Sequence, residues 1–308
     1  MAEAVAGYSM LAAASGIDFH APVGSLSAVR PNDGTDPFAA LRDLSIPHQR
    51  WGPGDRAWAE RWPKLDFPST HAVAHEPGPA GYIRPKRLID AQETLTTGRG
   101  GVLVDDTVVA IDSVAGGYEV TTATGRHFRA PRVILATGAF ANTLDLLPQP
   151  VDITVKTEII ILGEVTAADA TDLADYPVVQ YEIDSEDIDG IYMTPPVEYP
   201  DGSHCIKMGA DTRLDTWPTT LGEIRRWFET ATDGAFLPLL QPALQALWPN
   251  VDFVSLRTRP CIVTYTPDDH PLIDEVAPGL VVATAGNGRG AKASDAWGRK
   301  AADLVLGG

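Results

Sequence analysis

The residues of this chain best placed to do chemistry are few and far apart. Lys292 follows Gly286-Asn287-Gly288-Arg289-Gly290, a glycine turn that lies between the apolar run Leu280-Val281-Val282-Ala283-Thr284-Ala285 and a helix expected from about Ser294 to Leu306. Strand, glycine turn and helix bring bare backbone up to a ligand, and the positive end of the helix favours an anion such as a substrate carboxylate. A lysine at that end opposes the helix dipole, so it needs a reason to be there. The turn also reads as an ordinary connection that needs glycine for its backbone alone. Lys207, in Cys205-Ile206-Lys207-Met208-Gly209, is a cation in an apolar strand, either aimed into a site or facing outward from an edge. Cys261 by itself reads as a small buried hydrophobe. Lysine is scarce, the others being Lys64, Lys86, Lys156 and Lys300, so two at such positions carry some weight.

Other chemistries find little support. His20, His48, His71, His75, His127, His204 and His270 share no obvious site, and no acid–base triad emerges. Cys205 and Cys261 are too few for a disulfide framework, and no Cys/His cluster has zinc spacing, so no metal site is expected. The formal net charge of −17 would repel nucleic acid and anionic membranes. No apolar run approaches the roughly 18 residues that cross a bilayer. Met1 to Ile17 reads as an amphipathic helix rather than a leader, and the expected setting is a reducing cytoplasm.

The elements that must position these residues fall into two styles. With 308 residues, 44% hydrophobic, the chain can bury one large core or two moderate ones. Its first hundred residues alternate Pro/Gly-rich loops with candidate helices at Ala2 to Ser15, Ala57 to Arg61 and Lys86 to Thr96. Short β-branched runs follow at Val102 to Ala110 and Tyr118 to Thr122, separated by hairpin signals, and then Val133-Ile134-Leu135-Ala136, which reads as a parallel strand buried on both faces. Thr154 to Val165, Val178 to Ile183, Gly190 to Met193 and His204 to Gly209 are strands joined by turns, which predicts an antiparallel sheet. Helices near Thr220 to Thr232 and Leu239 to Leu247 precede a strand from Phe253 to Tyr265.

Three segments, taken in order, resemble the D-amino-acid oxidase superfamily of FAD enzymes. The first comprises Val108-Val109-Ala110-Ile111, Tyr118 to Gly125 and Val133-Ile134-Leu135-Ala136-Thr137-Gly138-Ala139-Phe140. The second is Cys261-Ile262-Val263-Thr264-Tyr265-Thr266-Pro267-Asp268, which is similar to a stretch of the monomeric sarcosine oxidase and N-methyltryptophan oxidase branch. The third is Gly288-Arg289-Gly290-Ala291-Lys292. The resemblance covers nearly the whole chain. It implies an α/β (α+β) fold: an FAD-binding, Rossmann-like domain with a mixed parallel sheet over residues 1–150 and 255–308, and an antiparallel substrate domain over 151–254, which part of 20–90 joins.

The same resemblance implies roles. The strand at Val108 and the turn Ala136-Thr137-Gly138 would pass close to FAD, with Gly288, Arg289, Gly290 and Ala291 at its other end. Cys261 matches the cysteine that bonds covalently to the flavin. Lys292 matches the lysine that pairs with the substrate carboxylate, and Lys207 the one that speeds reaction with oxygen. Arg259 is a second candidate for carboxylate binding, against its reading as a structural ion pair. The chain departs from the pattern at Val263, Asp211, Arg289 and Ala291, so sarcosine is not the assumed substrate. The implied activity is oxidation of the C–N bond of an amine or amino acid, with oxygen as acceptor. One alternative is a dehydrogenase that passes electrons to a quinone or carrier protein; another is a flavin-free remnant that binds a small acid. No G-x-G-x-x-G turn opens a Rossmann unit here, which leads us to expect a start truncated before Met1 or a misassigned initiator, and hence an incomplete FAD-binding domain.

Overall fold

A computed structural model of the chain describes residues 2–307 except 33–35 and 232. Its centre is an eight-stranded sheet in the order Ser255–Tyr265, Thr154–Val165, His204–Thr212, Ile188–Glu198, Val178–Tyr181, Ser25–Val29, Ala72–Glu76, Gln49–Trp51. Every neighbouring pair is antiparallel except Val178–Tyr181 with Ser25–Val29. The sequence expectation of an antiparallel sheet between 151 and 254 therefore holds, and strands from both ends of the chain extend it. Pro260 sits in Ser255–Tyr265, an edge strand, where a missing N–H is tolerated.

Side chains alternate across a strand, so each strand offers one set to each face. Ile159, Ile161, Ile191, Met193, Ile206 and Met208 all turn to one face and pack against Phe236, Leu240, Leu244 and Trp248. Three of those, at positions 236, 240 and 244, lie on one side of the helix Asp233–Leu247 at the i, i+4 spacing that makes a stripe. The Trp248 indole donates to Met193 Sδ at 2.8 Å within this core. The opposite face of the sheet carries Lys207 and Cys261.

A second, three-stranded sheet runs Leu272–Ala277, Leu280–Thr284, Val133–Leu135, the last two parallel. The final helix, Gly290–Leu306, packs over it and starts earlier than the expected Ser294. A third sheet, Val108–Val114, Gly117–Thr122 and His127–Ala130, is the expected hairpin with one more strand. Mixed parallel and antiparallel sheets with flanking helices give the α/β class anticipated from sequence.

Four expectations need correction. Val133–Leu135 is not buried on both faces: it is an edge strand in its sheet, and Ile134 is 40% exposed. The helix Ala2–Ser15 is not amphipathic, because Met10, on the side away from buried Ala4 and Tyr8, is 68% exposed. The run from Val102 becomes a strand only at Val108, after a loop. The helix expected to reach Thr232 spans Leu221–Thr230, and Thr232 lies outside the described residues. A full capping box between Thr220 and Glu223 fixes its start.

Candidate active site

Cross-strand register fixes which side chains share the non-core face of the large sheet. Directly opposed residues of an antiparallel pair point the same way. Glu158 opposes Cys261, Ile160 opposes both Arg259 and Gly209, and Leu162 opposes both Arg257 and Lys207. On the next strand Thr194 opposes Lys207 and Tyr192 opposes Gly209. One face thus carries Lys207, Cys261, Arg259, Glu158, Tyr192, Thr194, Asp211 and Tyr265, with Lys156 at its end.

Lys207 lies at the middle of this face. Its Nζ sits 5.1 Å from the centre of the Tyr192 ring and makes no hydrogen bond to any described residue. Burial lowers its pKa first of all; Cys261 and Glu158 draw it back up, and the charge of Lys292 lowers it further. Lys207 therefore feels the charges of Cys261 on one strand and Lys292 on the final helix. The Tyr192 ring rests on Gly209, where an added Cβ would come within 2.2 Å of Tyr192 Cζ. Burial, then Glu158, raise the Tyr192 phenol above its ordinary range. Gly209→Ala is expected to push this ring aside and cost about 1–3 kcal/mol, the usual range for overpacking, as read from denaturant midpoints.

The last glycine turn is tied to this face by hydrogen bonds. The Asn287 N–H donates to Thr264 O at 2.9 Å and the Thr266 N–H donates to Asn287 Oδ1 at 2.9 Å. Both Thr264 and Thr266 flank Tyr265, so the turn is fastened to the strand that carries Cys261. Asn287 adopts φ 47° and Gly288 φ 71°, and Gly286 has Gly290 Cα 2.5 Å from where a Cβ would stand. Only glycine fits at 286. Lys292 follows in the first turn of the helix, its carbonyl accepting from the Tyr8 hydroxyl. The Lys292 side chain is exposed, yet the protein around it and then Arg289 lower its pKa.

The turn Ala136-Thr137-Gly138 joins the same region, because Thr284 Oγ1 donates to Gly138 O at 2.9 Å. Ala139 packs with Val155 and Ile224, and Ile262 lies against them. Val108 packs beside Leu135 and Val282. Arg289 is held elsewhere: its guanidinium pairs with Asp269 at 2.7 Å, while its N–H donates to Gly286 O. Asp268 caps its own turn by accepting from the His270 N–H at 3.1 Å. Arg259 is exposed and makes no salt bridge among the described residues. It stands two residues from Cys261 on the same face and draws the Tyr199 phenol down, while burial holds that phenol up at about 12.

Sequence reasoning did not single out Glu158, Tyr192 or Thr194. Glu158 is buried, accepts from the Tyr265 hydroxyl at 3.4 Å, and has its pKa raised by burial above all. The native state thus keeps a proton that the unfolded chain gives up, so this group's contribution to stability falls as pH rises from the ordinary Glu value through the raised one. Glu158→Gln is expected to flatten that decline and to raise the neutral-pH melting midpoint; an unchanged pH dependence would contradict the assignment. Beside Glu158, Lys156 is bridged to Asp211 and, at 2.9 Å, to Asp215. Lys156, Asp211 and Asp215 line an open cleft of about 830 Å³ with Tyr265, Trp217, Arg213, Asp187 and Asp189. The cleft adjoins the Lys207 face through Tyr265 and Asp211.

Several features fit a bound flavin. The backbone at Gly138, Gly288 and Gly290 is bare, with nothing within 4 Å of a would-be Cβ. The hydroxyls of Thr137 and Thr194 are buried without a hydrogen-bond partner.

Comparison with known proteins follows the same line. The family described as FAD-dependent oxidoreductases (DAO) matches residues 1–304. No curated protein matches the chain. Among solved structures, glycine oxidase from Geobacillus kaustophilus is 22% identical with TM-score 0.72, covering 99% of this chain and 77% of that one. Iminodiacetate oxidase from Chelativorans sp. BNC1 is 20% identical with TM-score 0.71, covering 99% and 79%. L-proline dehydrogenase from P. horikoshii is 17% identical with TM-score 0.74, covering 98% and 77%. At such identities the likeness concerns the fold.

Proposed function

The chain belongs to the DAO family of FAD-dependent oxidoreductases, and on that premise we propose that it oxidises the C–N bond of an amine or amino acid with oxygen as electron acceptor. The observation that supports this reading is Lys207, which shares a sheet face with Cys261, feels the charge of Lys292 and has no protein acceptor for its amine. When bound, FAD supplies the redox chemistry, taking a hydride from the carbon beside the nitrogen. The chain's own residues bind, orient and polarise.

Lys292 holds the substrate carboxylate at the positive end of the final helix, with Arg259 as the second cation available to it. Lys207 places a fixed positive charge where negative charge develops on oxygen. Because burial lowers the Lys207 pKa, its proton is lost below the ordinary lysine range, so the oxygen step should decline with rising pH earlier than an unperturbed lysine would allow. A flat profile across that range would argue against the role. Val108, Ala136, Thr137, Gly138, Gly288, Arg289, Gly290 and Ala291 supply backbone to the cofactor, residues 1–150 and 255–308 forming its domain and 151–254 the substrate domain.

Cys261 is the proposed point of covalent attachment. Attachment needs the thiolate. Burial and then Glu158 raise this thiol, while Lys207 draws it back, so the bond should form slowly and faster at high pH. After incubation with FAD and acid precipitation, colour should stay with the pellet, increasingly so at higher pH, and leave it in Cys261→Ala.

The acidic cleft beside the site bears on the substrate. Of its charged lining, Glu186, Asp187, Asp189, Asp211 and Asp215 outnumber Lys156 and Arg213. Substrates with a distal carboxylate should therefore have a higher KM than those with a neutral or cationic end, and a preference for dicarboxylates would refute this. A second reading keeps FAD but passes electrons to a quinone or carrier protein. The fold does not choose between them, since both oxidases and a dehydrogenase share it. The acceptor test is Lys207→Met, argued below.

A further inference from the structure

One cation on the site face is held without being neutralised. Lys156 is bridged to Asp211 and Asp215, so its charge is cancelled within the protein, whereas Lys207 makes no salt bridge or hydrogen bond to any described residue. What the Lys207 amine lies over is the ring of Tyr192, 5.1 Å from Nζ to the centroid. The two residues are diagonal neighbours in the ladder: Lys207 opposes Thr194 and Tyr192 opposes Gly209, so both leave the sheet on the same side. Gly209 gives the ring its seat, since an added Cβ would stand 2.2 Å from Tyr192 Cζ and 2.4 Å from its hydroxyl oxygen. Burial first, then Glu158, hold the phenol above its ordinary range, so the ring stays neutral. A neutral ring attracts an ammonium through its quadrupole yet leaves the charge and its donors to whatever approaches from the other side.

We propose that Tyr192 is a positioning residue for the oxygen step: its ring, seated on Gly209, holds the Lys207 ammonium in place without cancelling its charge. A carboxylate in the same position would fix the amine as well, but it would oppose the field that stabilises negative charge growing on oxygen. With no holder at all, the flexible lysine stem would let the charge wander. The other titratable groups that the amine feels are Cys261, Glu158 and Lys292, and none of them bonds to it. Tyr192, Gly209 and Lys207 thus form one device. This rests on the oxidase reading above.

The test uses Tyr192→Leu, which removes the ring, and Tyr192→Phe, which keeps it. The first readout needs no cofactor. In protein carrying isotopically labelled lysine, the Lys207 resonance is the one that disappears in Lys207→Met. Its ε-protons should be shifted upfield by the ring current in wild type and in Tyr192→Phe, and should return to the ordinary position in Tyr192→Leu. A wild-type protein without that shift overturns the proposal outright. The second readout is the rate of reoxidation by oxygen in the FAD-loaded protein, taken relative to anaerobic reduction by substrate. Tyr192→Leu should lower this ratio by about 3- to 10-fold, the scale of one cation–π contact, and Tyr192→Phe should restore it. Gly209→Ala, which displaces the ring but keeps the tyrosine, should lower it as well. In a Lys207→Met background Tyr192→Leu should change the oxygen rate no further, because the ring acts only through the amine. Ring loss that slows oxygen just as much without the amine overturns the positioning role. If Lys207→Met slows oxygen and Tyr192→Leu does not, only the present inference fails; if Lys207→Met itself leaves oxygen untouched, the oxidase reading fails and Tyr192 loses its role with it.

Discussion

Replacing Lys207 by methionine is expected to slow the reaction of the reduced, FAD-loaded protein with oxygen by about 10²–10³-fold, the usual effect of removing one preorganised charge donor. Methionine keeps the length and apolar body of the side chain, so the sheet should hold its register and the Tyr192 ring its seat on Gly209. The amine is the only part lost. It has no protein acceptor, so its removal strands no carboxylate, unlike loss of Lys156, which would leave the largely covered Asp215 without a counter-charge. The effect should therefore appear in the oxygen step and be nearly absent from thermal stability. Anaerobic reduction by substrate should change little, because Lys207 acts after the C–N bond is oxidised. Stopped-flow measurement of the two half-reactions separates these effects. Equal slowing of both would move Lys207 to the substrate side, and slowing of neither would favour the quinone-linked dehydrogenase.

Lys292→Met should act on the opposite half. Loss of a charged partner from a carboxylate costs about 2–5 kcal/mol, which is roughly 30-fold to several thousand-fold in affinity. Because the Lys292 side chain is exposed, the lower end of that range is the expected one. The loss should fall on KM for a substrate with a carboxylate beside its amine and be slight for the matching amine without it. Reoxidation by oxygen should be unaffected. The Lys292 pKa is lowered, so carboxylate binding should weaken with rising pH at values below the ordinary lysine range, and this dependence should vanish in the methionine variant. A variant that loses affinity equally for both substrates would show that Lys292 supports the turn rather than the ligand.

How much of this was legible in the residues differs from segment to segment. The glycine turn was readable because its neighbours are unambiguous: an apolar run before it, a helical pattern after it, and glycines whose spacing leaves few other uses. The antiparallel sheet was readable because turns, not crossover helices, separate its strands. Burial of Val133–Leu135 was misjudged because three apolar residues look alike in a central or an edge strand; only the pairing shows that Ile134 faces outward. Glu158, Tyr192 and Thr194 escaped notice because their place in the site depends on cross-strand register, which no single strand encodes. One signal was present: Lys156 and Glu158 sit two apart just before the apolar run Ile159-Ile160-Ile161-Leu162, the spacing that puts both on one face. Nothing in the sequence foretold that Arg289 would be held by Asp269, since twenty residues and a strand pair separate them.

The claim at the centre of this account is that one space, bounded by the Cys261 strand, Lys207 and the Lys292 turn, holds a flavin that accepts electrons from an amine. The direct measurement is the visible absorbance of the chain after loading with FAD, followed anaerobically through additions of amines and amino acids and then on admitting air. The account predicts a yellow protein that bleaches with a carboxylate-bearing amine and regains its colour in air. A chain that takes up no FAD, or one that stays yellow with every amine and amino acid offered, would contradict it.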